Sequence, residues 1–117
     1  LYTNQLKKIN TNKIDFYKLN NLNFQKIDKK KFPSTKIIKL LPEKNSLFET
    51  ALVAANDEYV NLFLKKKLNY NSILSNIFKL LSKKDIKKLK KIVPTKISQV
   101  INTSIYVRKK INLMTKK

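Results

Sequence analysis

The stretch from Glu49 to Leu64, ETALVAANDEYVNLFL, holds no lysine, although the chain carries 27 basic residues against 7 acidic ones, a net charge of +20. It is also strongly helical in pattern. Leu52, Ala55, Tyr59, Leu62 and Phe63 recur at the three- and four-residue spacing that lines one side of a helix, and Val53, Val60 and Leu64 widen that side. This predicts a central helix with most of its surface covered. Ala51, Ala54 and Ala55 are small enough to admit a neighbouring backbone, whereas Asn56, Asp57 and Glu58 form a polar cluster that needs partners or solvent.

A chain of 117 residues allows one domain with one small core. An apolar content of 42% argues against global disorder despite the charge. With no cysteine and no histidine, thiolate chemistry and the commonest general base are excluded, and seven scattered carboxylates do not suggest a self-contained catalytic or metal site. Glycine is absent where about eight would be usual, so no glycine loop can cradle a phosphate, and asparagine is expected to make the left-handed turns. The first residue is Leu1, with no signal-peptide pattern near it, which suggests the tail of a longer protein. No apolar run approaches the roughly twenty residues of a membrane span, so a soluble or peripheral protein is expected.

The charge invites a nucleic-acid reading, in which lysines neutralise phosphates. Only Arg108 is arginine, however, so the planar bidentate contacts that read base edges are nearly missing. Solvated lysine-rich helix faces are the plainer explanation. Non-specific nucleic-acid binding by a free-standing module, or contact with an anionic membrane or acidic partner, are the alternatives.

Along the chain, residues 1–31 read as an extended arm and 32–117 as a helical domain. Leu1 to Lys13 have a linker's composition. Ile14, Phe16, Leu19, Leu22 and Phe24 are apolar points in an extended segment interrupted near Asn20 and Asn21. Pro33 suits the first turn of a short helix bearing Ile37, Ile38, Leu40 and Leu41, and Pro42 stops it. Asn45 is expected in a left-handed turn before the central helix. Asn71 or Ser72 can cap the next helix, which carries Ile73, Leu74, Ile77, Phe78 and Leu81. Ser82 and Asp85 could form a capping box for a lysine-coated segment with Ile86, Leu89, Ile92 and Val93 on one side. After Pro94, Thr95 can cap a last helix carrying Ile97, Val100, Ile101, Ile105, Arg108 and Ile111 on one side. The expected fold class is all-α: a small antiparallel four- or five-helix bundle preceded by an extended N-terminal arm.

Three patches resemble a known family. Ala51, Leu52, Ala54, Ala55, Asn56, Phe63 and Leu64 are similar to the A-L-N-A-A-N-E...A-F-L segment in the C-terminal helical domain of 1-deoxy-D-xylulose 5-phosphate reductoisomerases, with Val53 and Asp57 departing from it. Ile14, Asp15, Phe16, Lys18, Leu19, Leu22 and Phe24 resemble that family's L-D-F-x-K-L-x-x-L-x-F, and Asp28 to Pro33 its P-D-x-x-R-F/Y-P, with Ile27 in place of the proline and Lys31 in place of the arginine. The resemblance implies NADPH and a divalent metal, Mg2+ or Mn2+, for a full-length enzyme acting in non-mevalonate isoprenoid biosynthesis, and it implies that this chain alone is inactive, because neither the NADPH-binding domain nor the metal-holding domain is represented. It also implies a homodimer of the full enzyme, and a cytoplasmic or plastid stromal location. No catalytic, cofactor-binding or metal-binding residue maps onto this chain, and no bound cofactor is expected. The implied partner is the rest of the reductoisomerase polypeptide, with no membrane. Phe16, Leu19, Leu22, Phe24 and Asn56 are the structural or interface candidates.

Overall fold

The computed structural model describes residues 25–115, so the arm candidates Phe16, Leu19, Leu22 and Phe24 lie outside the described residues. Among the described residues there are helices and no strands, as expected for an all-α bundle. A 3-10 helix, Pro33–Leu40, precedes four α-helices: α1 Leu47–Leu64, α2 Tyr70–Leu81, α3 Lys84–Lys88 and α4 Ile97–Thr115, with a 3-10 turn, Leu89–Lys91, after α3. None of these helices is long and apolar enough to cross a membrane.

The central-helix expectation holds. Helix α1 packs against α2, α3, the Leu89–Lys91 turn and α4, and its Ala51, Ala54, Ala55, Tyr59 and Leu62 are buried. It begins earlier than the periodicity suggested, because Ser46 and Glu49 form a capping box: the Ser46 hydroxyl oxygen accepts from the Phe48 N–H at 3.1 Å, and the Glu49 carboxylate accepts from the Ser46 N–H at 3.1 Å. The earlier start brings Leu47 and Phe48 into the core, which Ile77, Leu80, Leu81, Ile86, Val107 and Ile111 complete from the other helices. Successive long helices reverse direction. Phe63 meets Tyr70 edge to face across the α1–α2 connection, with ring centroids 5.8 Å apart. The chain then returns to the start of α1, where the Leu47 N–H donates to the Ile92 carbonyl at 2.9 Å.

Several local expectations are corrected. Val53, Val60, Phe63 and Leu64 are exposed rather than covered. Asn45 is not left-handed, since the capping box lets the chain enter α1 through an extended Ser46. Helix α2 starts at Tyr70 with Asn69 at its N-cap and no side-chain cap, ahead of the proposed Asn71 or Ser72. The Ser82 hydroxyl donates to the Phe78 carbonyl instead of capping α3, whose N-cap is Lys83. Thr95 does not cap α4 by accepting a backbone N–H; the Gln99 side chain reaches back and accepts from the Thr95 and Lys96 N–H groups at 2.7 and 3.1 Å. On α4 the buried residues are Thr103, Val107 and Ile111, while Ile97, Val100, Ile101 and Ile105 are exposed and Arg108 half-buried.

The left-handed turn falls instead on Lys66, whose φ is 58°. The Lys67 N–H donates to the Leu62 carbonyl and the Lys66 N–H to the Phe63 carbonyl, each at 2.9 Å, the paired bonds of a Schellman ending. This ending usually places glycine at the left-handed residue, and a chain without glycine must strain a lysine there. Relief of a strain of about 1–2 kcal/mol exceeds the added chain entropy of glycine, so Lys66→Gly should stabilise the domain by about 0.5–1 kcal/mol. A urea midpoint at or below that of the parent would contradict this.

Candidate functional site

The polar cluster of α1 finds its partners on α4. Asp57 and Glu58 are adjacent, so their side chains emerge about 100° apart on the helix, and one flat guanidinium can reach both. Arg108 donates through Nη2 to Asp57 Oδ2 and through Nη1 to Glu58 Oε2, each at 3.2 Å. Asn112, one turn further along α4, donates from Nδ2 to Glu58 Oε1 at 2.9 Å and to the Arg108 carbonyl at 3.0 Å. Both oxygens of the buried Glu58 carboxylate are thereby satisfied. Sequence pattern alone places Arg108 on the last helix but does not name its acids, because they lie about fifty residues away on another helix.

A second cluster ties α3 to α4. Asp85 accepts from the Tyr106 hydroxyl and from Lys110 Nζ, the latter at 2.7 Å. Burial works against the Asp85 charge, but the hydrogen bonds from Lys110 and Tyr106 outweigh it and hold the carboxyl below its ordinary range. The bond to Asp85 raises the Lys110 and Tyr106 values above theirs. With its folded value depressed, Asp85 contributes stability above its unfolded pKa and loses it as pH falls through the folded one. Lys110 and Tyr106, with raised folded values, contribute below their unfolded values and lose it as pH rises through the folded ones. The stability difference between the parent and Asp85→Asn should therefore be level near neutral pH and shrink below about pH 4 and above about pH 10. Urea midpoints across that range test it; a difference independent of pH would show that the cluster contributes nothing through its charges. The effect is modest because these groups are largely solvated.

Asn56, the remaining member of the polar cluster, is exposed. It lies in an open groove of about 930 Å³ between the Pro33–Leu40 helix, α1 and α2, whose apolar lining includes Leu52, Val53, Val60, Ile73 and Leu74. Of the partners or solvent that the polar cluster requires, Asn56 therefore has solvent. Asn56→Ala should change stability by less than about 0.5 kcal/mol, and a larger loss on thermal unfolding would show a structural bond that the groove geometry does not contain.

Among the described residues no three of His, Cys, Asp and Glu come together, and the adjacent carboxylates of Asp57 and Glu58 are already engaged by Arg108 and Asn112. This donor set does not fit a divalent metal. A chain without glycine likewise offers no tight loop for a dinucleotide pyrophosphate. The nucleic-acid alternative gains no support, and the one guanidinium that could read a base edge is turned to Asp57 and Glu58.

Fold and contacts together define a small helical-bundle domain, centred on one helix and locked by an arginine fork. The chain belongs to the DXP reductoisomerase C-terminal domain family, which it matches over residues 2–110. It is 40% identical over 115 residues to the 1-deoxy-D-xylulose 5-phosphate reductoisomerase of Pelagibacter ubique, covering 98% of this chain and 30% of that protein. It is 31% identical over 112 residues to that of Sulfurihydrogenibium sp., covering 94% of this chain and 30% of the relative. The chain thus spans about 30% of the length of these curated relatives. No solved structure matches it.

Proposed function

We propose that the chain serves as the C-terminal bundle of an NADPH-dependent 1-deoxy-D-xylulose 5-phosphate reductoisomerase, contributing architecture rather than catalytic groups. The observation that carries this reading is the family match over residues 2–110, joined to the 30% share of the relatives' length. In this reading residues 1–31 form the arm and 32–117 the bundle, and Phe16, Leu19, Leu22 and Phe24 tie the bundle to the rest of the polypeptide. Asn56 belongs to the same contact surface. NADPH and a divalent metal are held by the remaining part of a homodimeric enzyme in the cytoplasm or plastid stroma.

The test is a chimaera in which this chain replaces the matching segment of the Pelagibacter ubique relative. With 1-deoxy-D-xylulose 5-phosphate and Mg2+ it should consume NADPH, whereas the chain alone should not. A chimaera that folds and assembles but leaves NADPH untouched overturns the reading.

A further inference from the structure

Helix α1 carries an exposed apolar strip besides its buried face. Val53 is 60% exposed, Val60 36% and Leu64 71%, with Asn56 between the first two. Lysine fills the solvated surface of this chain, with pairs or triplets at Lys65–Lys67, Lys83–Lys84, Lys87–Lys88 and Lys90–Lys91, yet the strip has none. A helix face that is wet in the finished protein has no reason to escape that pattern, and contiguous exposed apolar surface marks a contact site. Val53, Asn56 and Val60 also line the groove, which has two lysines in its lining, Lys30 and Lys31, and no carboxylate.

We propose that this groove is the seat of an acidic, apolar-faced segment of the larger polypeptide to which the chain belongs, so that α1 is covered on both sides in the full-length protein. The inference rests on the reading that the chain is part of a reductoisomerase. Charge selects this occupant over the others. A second copy of the chain brings another +20 to a lysine-bearing groove. The chain's own residues 1–24 hold four lysines against Asp15 alone, a net +3 that repels Lys30 and Lys31. The relatives extend well beyond the matched region, which occupies 30% of their length, so there is chain to supply the segment.

The chain has no cysteine, so a single introduced thiol reports its own surroundings. Val60→Cys and Ile97→Cys are each made in the isolated chain and in the Pelagibacter ubique chimaera, and iodoacetamide alkylation is followed by mass spectrometry of the peptide that holds the thiol. Both positions are exposed, so neither variant should disturb folding. At Val60→Cys the expected result is alkylation at least about ten-fold slower in the chimaera than in the isolated chain, a protection that tracks the opening of a covered site. Ile97→Cys should react alike in both. Adding Lys30→Glu with Lys31→Glu should restore part of the Val60→Cys rate in the chimaera. Equal Val60→Cys rates in the two proteins overturn the proposal, as does protection already present in the isolated chain, which would place the chain's own arm or a second copy in the groove. An active chimaera with an unprotected Val60→Cys would sink this inference alone. A protected but inactive one would sink the functional reading and leave the groove assignment standing.

Discussion

Replacing Phe48 by alanine should cost about 3–5 kcal/mol, the usual range for truncating a buried aromatic. Phe48 is 1% exposed within the central cluster, and Lys90 Nζ sits 4.6 Å from its ring centroid, closing the core from the solvent side. Total stability in small domains is about 5–15 kcal/mol, so this single truncation approaches loss of the fold. Phe63→Ala should cost less than half as much, because Phe63 is 36% exposed and its ring meets that of Tyr70, itself exposed, edge to face. Urea unfolding of the two variants side by side decides the matter. Equal losses would mean that the core does not centre on the first turn of α1.

The second large effect is expected at Arg108. Arg108→Met leaves Glu58, whose side chain is 8% exposed, with Asn112 as its remaining partner, at a cost of about 1–3 kcal/mol. The figure stays below the 3–5 kcal/mol of a fully buried broken pair because the Arg108 side chain is 40% exposed. Combining Arg108→Met with Glu58→Gln should recover part of the loss, since a neutral amide tolerates the site better than an unpaired charge. Arg108→Lys should remain below the parent, because an ammonium cannot hold two carboxylates in one plane. A double-mutant cycle on unfolding free energies measures the coupling, and a lysine variant as stable as the parent would remove the geometric argument.

Much of the fold was legible because some signals are local. Pro33 opens its 3-10 helix, Leu40 ends it two residues before Pro42, and the lysine-free stretch is the helix that the others surround. The start of α1 was missed although Ser46 and Glu49 have capping-box spacing, because the apolar period was read from Glu49 onward and left Phe48 out. The buried face of α4 was misjudged for a different reason. Apolar residues occur around most of that helix, so periodicity does not set its rotation; the Arg108 and Asn112 bonds to α1 do, and they bring Thr103, Val107 and Ile111 inward. Asn56 was recognisable as unusual from its alanine-rich surroundings, but its exposure depends on how α2 and the Pro33–Leu40 helix flank α1. No pattern within α1 encodes that.

The fork between α1 and α4 also marks a limit on how uniform this chain's alphabet can become. Lysine stands in for arginine at 26 of the 27 basic positions, which is harmless wherever only a positive charge in water is required. At position 108 two anions one residue apart must be gripped at once, and a point charge on a flexible stem serves one of them at a time. A compositional bias can therefore run through nearly the whole surface of such a domain and still stop at a site where shape, rather than charge, is what the neighbouring helix demands.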